Sequence, residues 1–115
     1  MPYNHGDVVL VLFPDSNLQT AKRRPVLVVQ ADALRTGLAQ TVVAMITSNQ
    51  ARAGHPSRVA VPRDSTEGRE MGLLTDSIVM TDNLATVLDT EIDRLIGRCT
   101  IMPAVAAALR HTLGL

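Results

Sequence analysis

Aromatic side chains are almost missing from this chain: Tyr3 and Phe13 are the only two, 2% of 115 residues. Proteins commonly hold single-stranded nucleic acid by stacking its bases on aromatic rings, and that mode cannot operate widely here. RNA, if bound, must be held by Arg side chains, hydroxyls and backbone N–H groups, and Phe13 reads as core. Cysteine is scarcer still. Cys99 stands alone, which excludes an internal disulfide, and its apolar neighbours mark it as a small core residue rather than a catalytic thiol. Net charge is absent too, because 11 Lys and Arg balance 11 Asp and Glu. The whole molecule therefore exerts no general pull on nucleic acid or membrane, and any such contact must be local. No apolar run reaches the length of about 18 residues that a membrane helix needs. Asn4, His5 and Asp7 interrupt the N-terminal segment, so no signal peptide is expected and the cytoplasm is the default location. A Gly-rich phosphate loop, an HExxH pair and zinc-like Cys/His spacing are all lacking, and His5, His55 and His111 are scattered. No metal and no cofactor is expected.

What remains is an ordinary globular composition, 46% hydrophobic and 19% charged, in a length that suits one domain over 1–115. The chain is organised around residues 22–48. Two β-branched runs, Val26–Val29 and Val42–Ile46, read as buried strands. Lys22, Arg23 and Arg24 stand directly before the first run, and Thr47 and Ser48 directly after the second. A cationic cluster and a hydroxyl pair at the ends of core strands suit a phosphate. They equally suit a solvated loop followed by turn residues. The acids lie elsewhere: 76–93 carries Asp76, Asp82, Asp89, Glu91 and Asp93 with no Lys or Arg.

Taken in order, Val8–Phe13 reads as the first strand, ended by Pro14. Residues 15–23 read as a polar, mobile loop of the kind that carries function. Ala33–Arg35 suggests a helical turn closed by Gly37. Residues 49–56 and 62–70 read as loops, Ser57–Val61 as a half-buried strand, and Gly72–Leu74, Ser77–Thr81 and Leu84–Leu88 as short strands. Thr90–Asp93 suggests one helical turn and Leu95–Thr100 a last strand. Pro103 suits the first turn of a helix over 104–113, in which Val105, Leu109, Thr112 and Leu113 share a face and Gly114 is the stop. Many short strands and one terminal helix predict a small, mostly antiparallel barrel.

Gly-Asp-Val-Val-Leu-Val-Leu-Phe-Pro at 6–14, Lys-Arg-Arg-Pro-Val-Leu-Val-Val at 22–29 and Ile-Thr-Ser at 46–48 together resemble the MazF/PemK toxins of type II toxin–antitoxin systems. Ser77–Val87 looks like that family's later strand pair, and Leu95-Ile-Gly-Arg like its last strand. The resemblance implies a mostly β, SH3-like small barrel (CcdB/MazF-like) with a C-terminal α-helix. It implies a homodimer that cuts single-stranded RNA at short sequences without a metal, restrained by a cognate antitoxin, with no membrane partner. It places catalysis on Arg24, with Thr47 assisting and Asp82 lining the site. Lys22, Arg23, Ser48, Asp76 and Ser77 are the RNA-binding candidates. Two departures stand out. A Glu-Gln-x-Gly element of the first loop is replaced by Ser16–Ala21, and an Arg two residues before the later acid is replaced by Met80, so a supporting cation is missing or comes from elsewhere. The alternative class is a non-catalytic, CcdB-like toxin that binds a protein such as gyrase.

The chemistry agrees with the ribonuclease reading. RNA carries its own nucleophile, the 2′-hydroxyl, so no activated Ser or Cys is needed; the protein must align the backbone and stabilise charge on phosphorus. An Arg fork matches phosphate oxygens but is a poor base. Arg24 is thus expected to stabilise charge and to protonate the leaving 5′ oxygen, and Thr47 to donate to a non-bridging oxygen. Asp82 and His5 remain the two candidates for general base.

Overall fold

The computed structural model describes residues 3–14, 17 and 19–115. Six strands are formed: β1 (Asp7–Pro14), β2 (Ala21–Val28), β3 (Gln40–Thr47), β4 (Arg58–Val61), β5 (Ser77–Leu88) and β6 (Ile92–Arg98). Two α-helices accompany them, α1 (Thr66–Glu70) and α2 (Met102–Leu113), with 3₁₀ turns at Gln50–Arg52 and Asp89–Glu91. The strands make one antiparallel sheet in the order β4-β5-β3-β2-β1-β6. This is the mostly β, small barrel-like fold with a C-terminal helix that the sequence predicts, although no ladder joins β4 to β6.

The near-continuous apolar runs have a simple cause: the sheet is covered on both faces, and successive side chains feed opposite sides. Val8, Leu27, Ala44 and Ile46 enter one core cluster with Val61, Met71, Cys99 and Val105. Their neighbours Val9, Val11, Val26, Val28 and Val43 enter the other, with Val87 and Ile92. Burying a Leu or Val side chain fully contributes about 1.5–3 kcal/mol, and Val8, Val9, Val26 and Leu27 are completely inaccessible.

The gap between β4 and β6 is closed by packing. The turn that follows α1 lies against β6 so closely that neither side can carry a Cβ. A side chain at Gly72 would collide with the Ile96 carbonyl, and one at Gly97 with the backbone of Glu70 and Met71. Gly72 also needs φ +71°, a region open to glycine. At the far end, Asp7 is 5% exposed and accepts from Arg98 Nη1 at 2.7 Å and from the Asn4 N–H at 2.8 Å. Helix α2 is tied to β5 by hydroxyls. Thr81 Oγ1 donates to the Ser57 carbonyl at 2.6 Å, which leaves Thr112 Oγ1 to donate to Thr81 at 2.8 Å. Gly114 ends α2 at φ +71°, its N–H reaching the Arg110 carbonyl.

Several expectations change. Lys22, Arg23 and Arg24 are not in a loop; they continue β2 opposite Phe13, Leu12 and Val11. Pairing with an apolar β1 sustains a strand whose outward positions stay polar. Asp15, Ser16 and Leu18 of the predicted loop lie outside the described residues. The stretch 62–70 contains α1, which Ser65 caps by accepting the Gly68 N–H at 3.0 Å. Gly72–Leu74 is a turn rather than a strand, because of the positive φ at Gly72. The two short strands over 77–88 are one, interrupted by a bulge. Register jumps from Met45↔Met80 to Ala44↔Leu84 and leaves Thr81, Asp82 and Asn83 without a partner on β3. The last strand starts three residues earlier than predicted, at Ile92 rather than Leu95.

Candidate functional site

Pairing of β2 with β3 runs only from Val28↔Val43 to Val26↔Met45. At the next residue comes Pro25, which brings no N–H to a ladder. Beyond it β2 stays with β1, β3 stays with β5, and the two strands part. Arg24 and Thr47 stand on the two sides of that split. The Arg-Pro step thus does two jobs: it ends the zipper and leaves an arginine at the opening.

The split opens into a groove of about 480 Å³. Its lining is Arg23, Arg24 and Pro25 from β2, Ile46, Thr47 and Ser48 from the end of β3, Gly72–Thr75 with Ser77, Leu10 from β1, and Arg94 and Ile96 from β6. Three arginines and no carboxylate face it, among the described residues. This local excess of positive charge in a chain of zero net charge attracts anions. Thr47 Oγ1 accepts the Asn49 N–H at 3.1 Å, which leaves its own proton available to a ligand. Arg23 Nε contacts Asp93 Oδ2 at 3.0 Å on an exposed flank, so part of its charge is already answered.

Five of the eight residues singled out from the sequence therefore meet: Arg23, Arg24, Thr47, Ser48 and Ser77. Ser77 is 5% exposed and spends its hydroxyl on the Thr75 carbonyl at 2.9 Å, so it braces the loop. Three do not line the groove. Lys22 lies further out along β2, opposite Phe13. Asp76 points away from the groove, its carboxylate accepting the Arg63 N–H at 2.8 Å and its carbonyl accepting from Gln50 Nε2 at 3.0 Å. Asp82 stands outside the groove on β5. It lies five residues beyond Ser77, about 16 Å along a strand, within the bulge, and bulges re-aim side chains. There Arg58 Nη2 donates to Oδ2 at 2.8 Å. The Arg58 guanidinium holds the Asp82 carboxyl below its ordinary range, and His55 adds a smaller pull in the same direction. Arg58 sits directly across from Met80 on β4. His5, the other base candidate, does not line the groove either; its backbone N–H donates to Asp32 Oδ1 at 2.7 Å. Cys99 is buried, which pushes its thiol up.

Sequence reasoning missed Arg94 and Ile96 on one wall and Gly72–Thr75 on another. Arg94 and Ile96 are two apart, and period two puts both on one face of β6. That signal was present but was cut by the late predicted start of the strand. Among the described residues no three of His, Cys, Asp and Glu converge to hold a metal ion, and no helix is long and apolar enough to cross a membrane.

Comparison with known proteins gives the family and the fold. The family model described as PemK-like, MazF-like toxin of type II toxin–antitoxin system matches residues 4–113. An endoribonuclease of Mycobacterium tuberculosis, MazF6, is 37% identical over 107 residues, 90% of each chain. Endoribonuclease MazF2 of Mycobacterium bovis matches to the same extent. Among solved structures, the Mycobacterium tuberculosis toxin MazF-mt6 superposes with a TM-score of 0.73 at 26% identity, covering 95% of this chain and 97% of its own. A MazE–MazF complex from Deinococcus radiodurans shares the fold, with a TM-score of 0.73 at 18% identity over 100% of this chain and 98% of its own.

Proposed function

Since this chain belongs to the PemK-like, MazF-like toxins of type II toxin–antitoxin systems, we propose that the arginine groove is where it cuts RNA. The protein is an endoribonuclease toxin, as its curated relatives are endoribonucleases over 90% of the chain, and an antitoxin is its protein partner. Nothing favours a CcdB-like, gyrase-binding alternative. The observation that carries the site assignment is the parting of β2 from β3 at Pro25, which sets Arg24 and Thr47 on either side of one groove that, among the described residues, no carboxylate lines.

The reaction follows from what those side chains offer. Single-stranded RNA enters with a phosphate between Arg24 and Thr47. The 2′-hydroxyl oxygen bonds to phosphorus and gives up its proton, and the bond from phosphorus to the 5′ oxygen breaks. Arg24 spreads its fork over the oxygens on which charge grows, and the Thr47 hydroxyl donates to a non-bridging oxygen. The leaving 5′ oxygen takes up a proton. The products are a 2′,3′-cyclic phosphate and a 5′-hydroxyl, and no metal is required by any of these steps. Asp82 drops out as base, because Arg58 occupies its carboxylate outside the groove. Ser48 and Arg23 contact flanking phosphates. The antitoxin reaches the same groove with an acidic segment, because carboxylates answer the arginines that phosphates would. The protein works as one domain, as a homodimer, in the cytoplasm, where RNA and antitoxin are made.

The test is one oligoribonucleotide with a mapped cut, and a copy carrying 2′-deoxyribose 5′ to that cut. Cleavage of the first in excess EDTA, with a cyclic phosphate by mass spectrometry, and none of the second, is the expected result. Cutting at the deoxy position, or a strict need for divalent metal, would show a different reaction.

A further inference from the structure

Among the described residues, the groove has one apolar member that stands almost wholly in solvent. Leu74 is 85% exposed, whereas Leu73 beside it is 7% exposed and belongs to the core. A leucine left almost fully in water at the rim of an arginine-lined groove has no packing role. Nor does the turn hold it there loosely. On one side the Gly72 N–H donates to the Arg69 carbonyl at 3.0 Å and the Leu73 N–H to the Gly68 carbonyl at 3.1 Å. On the other side the Thr75 carbonyl accepts from Ser77 Oγ at 2.9 Å. Gly72 is wedged against Ile96 with no room for a Cβ. The backbone on both flanks of Leu74 is fixed, so presenting it costs little backbone ordering when a ligand arrives.

We infer that Leu74 is the seat of a nucleobase beside the scissile phosphate, and so a determinant of which RNA sequences are cut. This rests on the groove being the RNA site. Phosphates fix position and carry no sequence information, whereas contacts to bases do. A base needs an apolar surface for its face, and aromatic stacking is the usual supply. Neither of this chain's aromatics lines the groove; Tyr3 and Phe13 pack against the second core cluster. The apolar surface offered is aliphatic, Leu74 at the rim with Pro25 and Ile96 within. With the arginines engaged by the sugar-phosphate chain, an unstacked base is met by that apolar surface, of which Leu74 is the exposed part.

A binding cycle tests this. The probe is the mapped oligoribonucleotide made uncleavable by 2′-deoxyribose at the cut, in one intact version and in versions with an abasic residue on either side of the cut. Dissociation constants are measured by fluorescence anisotropy for the wild-type chain and for Leu74→Ser; an exposed residue leaves the fold intact, checked by its melting temperature. In wild type, removing one of the two bases should weaken binding about tenfold, at the low end of what an aromatic stack gives. In Leu74→Ser the intact probe should bind about tenfold more weakly than in wild type, and removing that same base should change binding less than about twofold. An equal loss on removing the base in both proteins, or no loss at either position in wild type, overturns the role of Leu74 while leaving the groove as RNA site. Failure of the wild-type chain to bind the intact probe at all overturns the site itself.

Discussion

Arg58 grips Asp82 with two hydrogen bonds, Nη2 to Oδ2 at 2.8 Å and Nε to Oδ1 at 3.4 Å. This pair links β4 to the bulge of β5, away from the groove. It gives Asp82 a structural occupation. Asp82→Asn should therefore leave RNA cleavage near wild type and lower stability at pH 7 by about 0.5 kcal/mol, as for other partly exposed pairs. The Asp82 carboxyl titrates lower folded than unfolded. Its stabilisation is in full force above the ordinary carboxylate range and fades as pH falls through the lowered folded value. Urea unfolding at neutral and at acid pH should show the two proteins converging on the acid side. A large loss of cleavage in Asp82→Asn would return the residue to the site.

Arg24 and Thr47 should behave differently. Arg24→Ala is expected to lower the single-turnover cleavage rate by about 10²–10³-fold, the loss typical of one preorganised donor to a developing oxyanion. Arg24→Lys should recover little, since a point charge lacks the planar fork. Arg24 is exposed, and the melting temperature should move by about 3 °C or less. Thr47→Val should slow the same step with the fold intact. Full activity in Arg24→Ala would remove it from the chemistry.

Salt dependence separates the basic residues. Each phosphate contact to a single strand contributes about 0.7 to the slope of log K against log salt. Arg94 lines the groove and Lys22 does not. Arg94→Ala should flatten the slope by about that amount, and Lys22→Ala by clearly less. The reverse ranking, read from binding titrations across a salt series, would mean that RNA runs out along β2 rather than across β6.

Cys99 is 6% exposed, and burial raises its thiol pKa. A neutral, covered thiol is inert. Aromatic disulfide reagents should label it only at the rate of unfolding, and immediately in denaturant. Fast labelling of the native protein would show that the end of β6 opens.

The strands were readable because valine and isoleucine runs need a pleated, covered surface: Val8–Phe13 and Val42–Ile46 fall within observed strands, and Val26–Val29 does so up to Val28. The two poles of the groove were readable because Arg24-Pro25 and Ile46-Thr47 flank those runs directly. Its other walls were not. Gly72–Thr75 reaches the site through the packing of one turn on a distant strand, which no local pattern encodes, and the two-residue spacing of Arg94 and Ile96 gives a shared face but not that the face meets the groove. The surroundings of Asp82 were hidden for a related reason. Its partner Arg58 is 24 residues away, and the bulge that turns Asp82 toward it is a mismatch in length between β3 and β5, invisible in either strand alone. Helix α1 hid in a polar stretch because its only strong signal is one capping serine.

The bare contact between Gly97 and the backbone of Met71 does more than shut the barrel. One wall of the groove, Gly72–Thr75, hangs from the same turn, and another, Arg94 and Ile96, from the same strand. The depth of that contact is therefore a spacer that sets how far apart the two walls stand. A Cβ at Gly97 would lie 2.6 Å from the Met71 carbonyl oxygen, and relieving it would spread the walls without altering any side chain that meets RNA. The gauge of the cutting site is thus set from behind, at a position whose residue has no chemistry of its own.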